Sequence, residues 1–355
     1  MARHLFPGGN TALGFFSFYD HILPEEETGR MIILKGGPGV GKSTFMRRVG
    51  AAREARGLAG EYLHCSSDPH SLDGIAARSA GFAMIDGTAP HIVDPRLPGA
   101  ADSILNLGAF LDEKGLEARK GVILALQREI SGCFAQAYRY LAAALPLRDD
   151  SAAIQKSLMD EKKLMSLFAP WLETLTERRA LSAPGKSRSM FVSAITPEGC
   201  VNHLESFGAR RVWRISGEWA GEAHRLLALL RHEALLHGMD VEALHCPVNP
   251  RRVEHLYLPA MDLLITTDNR YHAFTARAER TLCLDDARGR EPTGAEEAAL
   301  RFNAEEFDRL LRYACVSLAR AKALHDELEA EYIPRMNFDG VEECWQKLQD
   351  ALPVG

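Results

Sequence analysis

The sequence lacks the marks of several protein classes. Its seven cysteines include no Cys-x-x-Cys pair, so neither a disulfide scaffold nor a zinc finger is indicated. No stretch approaches the roughly 20 apolar residues of a membrane-spanning helix, and the N-terminus has no secretory pattern. Neither sign of charge dominates: the net charge of −6 argues against a dedicated nucleic-acid-binding protein. We therefore expect a soluble cytoplasmic protein with reduced thiols.

Enough apolar sequence is present for a large folded core. The chain has 355 residues, of which 46% are hydrophobic and 25% are charged. These fractions are typical of a globular protein, and the length favours two domains over one.

A glycine-rich loop lies between a predicted strand and a predicted helix. The apolar run Met31–Leu34 predicts a buried strand, and the helical spacing of Thr44–Arg56 predicts a helix with Gly57 at its C-cap. Between them stands Gly36-Gly-Pro-Gly-Val-Gly-Lys-Ser-Thr44. This strand–loop–helix context is typical of a phosphate-binding loop rather than of an ordinary turn.

The residue types in this loop fit the chemistry of a nucleoside triphosphate. Glycines let the backbone N–H groups approach phosphate oxygens, next to the positive end of the helix. Lys42 would reach the β- and γ-phosphates, and the Ser43 hydroxyl would ligate Mg²⁺. No Asn-Lys-x-Asp-like element that would read guanine is present, so we expect ATP with Mg²⁺. The predicted binding residues are Gly36, Gly37, Pro38, Gly39, Val40, Gly41, Lys42, Ser43 and Thr44.

Acidic residues after two further strands complete the predicted site. Asp86 ends an apolar run and has the form of a Walker B residue that holds Mg²⁺, although an Asp-Gly turn has the same form. Asp68 and Asp73 follow the strand predicted over 61–66, and either could position an attacking water or a substrate hydroxyl. Asp68 could equally cap a short helix predicted over Ser71–Arg78. The predicted catalytic residues are Lys42, Asp86 and Asp68, and the predicted metal ligands are Ser43 and Asp86.

Two weaker candidates follow the third predicted strand. His91 and Asp94 stand in the segment Ala89-Pro-His-Ile-Val-Asp-Pro95, which a turn explains more readily than catalysis does.

The second half of the chain repeats the first. In one ungapped frame Arg30 aligns with Arg211, and Gly36 aligns with Gly217. Glu61, Leu63, His64 and Cys65 align with Glu242, Leu244, His245 and Cys246. At a slightly larger offset, Phe6, Thr11 and Gly14 align with Phe191, Thr196 and Gly199. These coincidences predict an internal duplication rather than chance similarity.

The repeat also predicts that the second copy has lost its phosphate site. Lys42 aligns with Ala223, Ser43 with His224 and Asp86 with Thr267. Glu218 and Glu222 would repel a triphosphate. We expect one active and one degenerate site, unless Arg214 or Arg225 restores weak binding. The shared His-Cys pairs could supply metal ligands, but inherited packing at the strand ends explains them better.

The remaining sequence is predicted to be helical. Helices are expected over 116–144, 151–178, 295–332 and 339–352, as hairpins that pack on the sheets or project as a lid. Arg178 or Arg179 could reach the γ-phosphate, although a solvated position is the ordinary alternative. We therefore predict two tandem α/β units with parallel sheets of the P-loop NTPase type. Each would be a three-layer αβα unit with a helical-hairpin insertion, over 1–184 and 185–355.

Three segments resemble a known family. Gly14–Asp20, Leu34–Thr44 and Ile85–His91 are similar to segments of a group of uncharacterised bacterial P-loop ATPases, which have about this length and two related halves. The resemblance spans nearly the whole chain and implies nucleotide binding without naming a substrate. In that family the second half often keeps a phosphate loop, from which Glu218–Arg225 departs here.

Three functions fit these features. The first is an Mg²⁺-dependent ATPase that acts as a molecular switch. The second is a phosphotransferase for a small molecule or a nucleotide, and the third is a nucleotide sensor that leaves ATP intact. The expected partners are a nucleoside triphosphate and a protein or small molecule that the sequence does not identify. Neither a membrane nor a nucleic acid is expected.

Overall fold

The chain forms strands and helices in the same order in its two halves. The computed structural model describes residues 2–58, 60–176, 183–217, 223–271 and 274–351. The strands of the first half are β1 (Arg3–Leu5), β2 (Gly8–Thr11), β3 (Gly14–Ser17), β4 (Arg30–Lys35), β5 (Glu61–Cys65), β6 (Asp68–Ala77), β7 (Phe82–Asp86) and β8 (Asp102–Asn106). Those of the second half are β9 (Ser187–Met190), β10 (Ser193–Thr196), β11 (Gly199–Asn202), β12 (Arg211–Ser216), β13 (Val241–His245), β14 (Val253–Leu258), β15 (Leu263–Asp268) and β16 (Arg280–Cys283). The helices are α1 (Lys42–Glu54), α2 (Glu113–Glu117), α3 (Lys120–Leu158), α4 (Glu161–Thr176), α5 (Ala223–Leu236), α6 (Gly294–Tyr332) and α7 (Phe338–Ala351).

The two six-stranded sheets have the same topology. Their strand orders are β1-β5-β6-β7-β4-β8 and β9-β13-β14-β15-β12-β16. β4 precedes Gly36, and β12 precedes the equivalent Gly217. Each of these strands lies between two parallel neighbours, β4 between β7 and β8 and β12 between β15 and β16. Hairpins of β2 with β3 and of β10 with β11 complete the correspondence. Equivalent strands therefore occupy equivalent places in the two sheets, as a duplication would produce.

The prediction of parallel sheets is wrong, because both sheets are mixed. β6 runs antiparallel to β5 and β7, and β14 runs antiparallel to β13 and β15. The helix predicted over Ser71–Arg78 is in fact β6. Its residues Leu72–Ala77 are all buried, and an added Cβ on Gly74 would lie 3.2 Å from the Met84 carbonyl oxygen of the next strand. When a short segment is buried on both faces, its hydrophobic residues show no periodicity that would distinguish a strand from a helix.

The predicted three-layer αβα arrangement is also wrong. Met31 and Ile33 of β4 lie in one core cluster, whereas Ile32 and Leu34 pack with Phe45 of α1 in another. The cluster that holds Met31 and Ile33 also contains Leu244 and Leu264 of the second sheet, so the inner faces of both sheets share one core. Because side chains alternate along a strand, each sheet has one face for this core and one for helices. The layers are therefore helices, sheet, shared core, sheet and helices.

Two 39-residue helices, α3 and α6, pack along each other. They run antiparallel, because Arg119 lies beside Glu331 at one end and Asp150 beside Asn303 at the other. The helix predicted to end at 144 instead continues through Pro146 to Leu158. Among the described residues, no helix combines the length and apolarity needed to cross a membrane.

The two halves exchange their last helices. Leu164, Phe168 and Trp171 of α4 pack with α5 and the second sheet. Conversely, Val341 and Trp345 of α7 pack with Phe45 and the first sheet. The predicted boundary at residue 184 therefore separates two copies in the sequence, but the packed layers around each sheet use helices from both.

A buried cluster of four charges joins the halves where they meet. Phe6 and Phe191, which are equivalent in the repeat, exchange backbone hydrogen bonds of 2.9 and 3.2 Å. Nearby, Arg188 donates to both Glu61 oxygens at 2.7 and 2.6 Å and approaches Glu242 at 3.4 Å. Arg3 contacts Glu61 and donates to Glu242 at 2.9 Å. Each guanidinium thus touches the carboxylate of its own half and that of the other.

The first prediction concerns the stability that this cluster provides. Arg188→Met leaves two buried carboxylates with a single guanidinium, so we expect it to lower the free energy of unfolding by about 3–5 kcal/mol. The control Arg210→Met breaks the pair of Arg210, 88% exposed, with Asp262 and should cost far less, because solvent screens an exposed ion pair. Urea denaturation of both variants measures the difference. Equal losses would show that the cluster is not a special source of stability.

The second prediction concerns acid. Burial raises the pKa of Glu61, but the guanidinium groups of Arg188 and Arg3 outweigh it and hold this pKa at about 2, below its ordinary 4.5. The stabilisation by Glu61 is therefore complete above pH 4.5 and is lost as the pH falls towards 2. In urea titrations across this window, wild type should lose more stability than Glu61→Gln, which has no proton to take up there. Parallel curves would contradict this assignment.

Candidate functional site

The predicted phosphate loop has the backbone of an anion cradle. It connects β4 to α1, and Gly36, Gly39 and Gly41 have φ angles of 146°, 70° and 89°. These left-handed values strain any residue with a Cβ, which explains why glycine stands at these positions. Gly41 is the N-cap of α1, so the loop ends at the positive end of a 13-residue helix. Such a site favours an anion.

Lys42 lies over the loop rather than in solvent. Its Nζ donates to the carbonyl oxygens of Gly36 at 3.0 Å and Gly37 at 2.9 Å. The same atom is 3.5 Å from Asp86 Oδ2, and both side chains are largely buried. The structure therefore brings together the predicted lysine and the predicted Walker B carboxylate.

Ser43 and Asp86 present oxygens that fit a hard cation. Ser43 Oγ accepts the Leu72 N–H at 2.9 Å, which leaves a lone pair and the hydroxyl proton available. Asp86 lies at the end of β7, which is parallel and adjacent to β4. Its Oδ1 accepts from the Thr88 N–H at 2.9 Å and the Thr88 hydroxyl at 2.6 Å, and these bonds orient the carboxylate. Hydroxyl and carboxylate oxygens are the ligands that Mg²⁺ prefers.

Asp68, by contrast, has partners outside the loop. Its Oδ1 accepts from His70 N at 3.2 Å, and its Oδ2 lies 3.3 Å from Lys322 Nζ of α6. The alternative, that Asp68 caps a short helix, is wrong, because Asp68 is the first residue of strand β6. The structure thus joins Asp68 to the long helix of the second half.

Asp73, rather than Asp68, lies beside the Walker B position. Gly74 pairs with Ile85 across β6 and β7, so the next cross-strand position brings Asp73 opposite Asp86. Asp73 Oδ2 is 3.4 Å from His91 Nε2, and the His91 ring stacks on Tyr19 at 4.7 Å. Burial, together with the Asp73 carboxylate, raises the pKa of Tyr19 well above its ordinary value. The other weak candidate, Asp94, is exposed and pairs with Lys35 at 3.2 Å.

The end of α6 and the residues after it cover the loop, whereas the sequence had left open whether this helix packs on a sheet or projects as a lid. Glu329 Oε1, from α6, accepts the Gly39 N–H at 3.1 Å. An added Cβ would lie 2.9 Å from Tyr332 at Gly37 and 2.9 Å from Ile333 at Gly39. No local sequence signal marks these contacts, because Glu329 follows Gly39 by 290 residues. We call residues 329–345 the C-terminal strap.

The equivalent place in the second copy is filled differently. A cavity of about 30 Å³ lies beside Gly217, Ala223, His224 and Thr267. Buried Arg148 of α3 lines it and donates to Glu254 at 3.0 Å. The two arginines considered as substitutes have other partners. Arg225 donates to Glu161 at 2.9 Å, and Arg214 donates to the carbonyl oxygens of Phe274 and Ala276.

The His-Cys pairs have equivalent structural roles in the two copies. His64 Nδ1 and His245 Nδ1 bond the carbonyl oxygens of Pro69 at 2.9 Å and Pro250 at 2.7 Å. A carbonyl only accepts, so each Nδ1 carries the proton and fixes the turn after its strand. His64 Nε2 then faces His4, and His245 Nε2 faces Ser189. Burial lowers the pKa of His245 to about 4.

Some predicted residues lie outside the part of the chain that the structure describes. These are Arg178 and Arg179, considered for the γ-phosphate, and Glu218 and Glu222 of the second copy.

Comparisons of this chain with protein-family models, with curated proteins and with solved structures find no match. The resemblance to P-loop ATPases therefore stays a prediction, and the functional argument depends on the geometry of the loop.

The third prediction tests how tightly the strap packs on the loop. Gly39 and Gly57 have similar φ angles, 70° and 75°, but only Gly39 has neighbours within 4 Å of an added Cβ. Gly57→Ala should therefore cost only left-handed strain, about 1–2 kcal/mol. Gly39→Ala adds a clash with Ile333 and the Glu329 carbonyl oxygen and should cost about 1–3 kcal/mol more. Urea denaturation measures both, and equal costs would mean that the strap yields freely.

Proposed function

We propose that this chain binds ATP with Mg²⁺ at Gly36–Thr44 and hydrolyses it, as a molecular switch with one active site. The observation that carries the proposal is the position of Lys42. Its ammonium group lies over a loop of left-handed glycines at a helix N-terminus, 3.5 Å from the carboxylate of the neighbouring strand. This is the set of groups that phosphoryl-transfer sites of the P-loop class use.

The electrostatics of the loop support a polyphosphate ligand. Backbone N–H groups, the α1 dipole and the Lys42 ammonium group all present positive charge to one place. The Asp86 carboxylate offsets part of this positive charge. Such a carboxylate is expected where the phosphates bind together with a metal cation that it holds. Ser43 and Asp86 would hold the Mg²⁺, which supplies charge neutralisation between phosphate oxygens.

The strand arrangement supports a P-loop NTPase type of fold for each sheet. β4 and β7 are adjacent and parallel, as the phosphate-loop and Walker B strands are in kinases and GTPases. This part of the proposal is an analogy at the level of fold. The second copy keeps the fold, but with Ala223, His224 and Thr267 it has none of the three groups that would bind phosphate and metal.

The Asp73–His91 pair supports hydrolysis in addition to binding. Asp73 lies one strand from Asp86, and a histidine held by a carboxylate is a common arrangement for moving a proton. We assign to this pair the positioning of the attacking water, in place of the predicted Asp68.

The fourth prediction tests the proposal directly. Lys42→Ala removes the ammonium group and should weaken binding of Mg²⁺-ATP by at least about 100-fold, since charge-assisted hydrogen bonds are lost. Isothermal titration calorimetry measures the affinity. Lys162→Ala, at an exposed position on α4, is the matched control and should bind like wild type.

Two further measurements define the activity. Phosphate release from ATP separates an ATPase from a sensor, and ADP formation that requires an added acceptor would indicate a phosphotransferase. Adding Ala223→Lys to Lys42→Ala should restore no binding, because the second copy also lacks the hydroxyl and the carboxylate. If Lys42→Ala binds ATP as tightly as wild type, the proposed site is wrong.

A further inference from the structure

The strap places a carboxylate on an amide of the phosphate cradle. Glu329 Oε1 accepts the N–H of Gly39, in the middle of the loop, at 3.1 Å. A phosphate oxygen bound in the cradle would use the same N–H group. Both acceptors are anionic, so they compete for one donor and repel each other.

Apolar contacts hold the strap against the loop on both sides of Gly39, whose N–H donates to Glu329. Tyr332 and Ile333 lie against Gly37 and Gly39, and the Phe338 ring is 3.7 Å from the Cβ position of Gly41. The carboxylate is therefore carried by a segment that follows the loop over its length. Opening the cradle fully requires movement of this segment, or at least rotation of the Glu329 side chain, which is 36% exposed.

The strap is anchored at both ends. On the C-terminal side, Arg48 of α1 donates to the Glu342 carboxylate at 2.6 and 3.0 Å, and its guanidinium lies 4.5 Å from the Trp345 ring centroid. On the N-terminal side the strap continues α6, in which Lys322 lies 3.3 Å from Asp68. Since α6 begins at Gly294, beyond the second sheet, the carboxylate at the loop belongs to a helix of the other half.

The second copy provides an internal comparison. Just after α6, the Asn337 N–H donates to the Phe110 carbonyl oxygen, and just after α3 the Asp160 N–H donates to the Ala287 carbonyl oxygen. Aligned on these equivalent bonds, Ala152 of α3 stands where Glu329 stands in α6. The copy without the lysine thus has a neutral residue at this position.

We propose that Glu329 is an autoinhibitory gate on the phosphate loop, through which α6 and the second half regulate nucleotide binding. The inference rests on the proposed function and adds its regulation. A triphosphate binds when Glu329 leaves the Gly39 N–H, and any partner that moves α6 away from the loop favours this state. Binding is then reciprocal: nucleotide in the loop displaces the strap and alters the second half.

The fifth prediction, by calorimetry with Mg²⁺-ATP, tests the gate. Glu329→Gln removes the charge and keeps a hydrogen-bond acceptor, and we expect roughly tenfold tighter binding than wild type. Glu327→Gln makes the same change at an exposed position of α6 and should leave the affinity unchanged. Glu329→Ala, which removes the acceptor as well, should bind at least as tightly as Glu329→Gln.

The outcomes separate the gate from the site that it regulates. If wild type binds and Glu329→Gln binds equally or more weakly, the gate is wrong while the nucleotide site stands. If wild type fails to bind and Glu329→Gln binds in a Lys42-dependent manner, the gate is supported more strongly. If no variant binds, the proposed function is wrong, and the gate is wrong with it.

Discussion

The buried contact between Arg3, Arg188, Glu61 and Glu242 is the constraint on which the arrangement of this molecule depends. Each carboxylate contacts both arginines, so neither half can withdraw without leaving charges buried and unbalanced. Because equivalent residues of the two copies meet there, the cluster also fixes their relative orientation. The shared core between the inner sheet faces, and the position of α6 over the first loop, both require that orientation.

With the halves fixed in this way, the exchange of helices means that both halves contribute residues to the candidate site. The first half supplies the loop, Lys42 and Asp86, whereas α6 and α7 supply the strap that covers the loop. A nucleotide bound there would therefore contact residues of both copies. A switch could therefore work without a second active site. The strap contacts the loop of the first half and continues a helix of the second half, so a ligand that displaces it from the loop would affect both halves.

Local patterns predicted the parts of the structure that local energetics determine. The loop and its glycines follow from a strand–loop–helix unit with fixed spacing, and the repeat follows from aligned residues. The strand β6 was mistaken for a helix because its residues are buried on both faces. The layers, the helix exchange and the contact of Glu329 with Gly39 were not predictable, because they depend on packing between segments hundreds of residues apart. Asp68 was preferred to Asp73 without knowledge of the strand register that places Asp73 opposite Asp86.

The different residues at the loop positions of the second copy and the retention of the whole fold have a common explanation. The shared core, the charge cluster and the long helix pair need both copies, so folding requires the second half whether or not it binds phosphate. Lys42, Ser43 and Asp86 contribute little to these contacts, and their equivalents are free to become Ala223, His224 and Thr267. At the first loop α6 carries the negatively charged Glu329, whereas α3 carries the neutral Ala152 at the equivalent position. This distribution of charge is what we would expect of a duplicated unit in which one half binds phosphate and the other half regulates that binding.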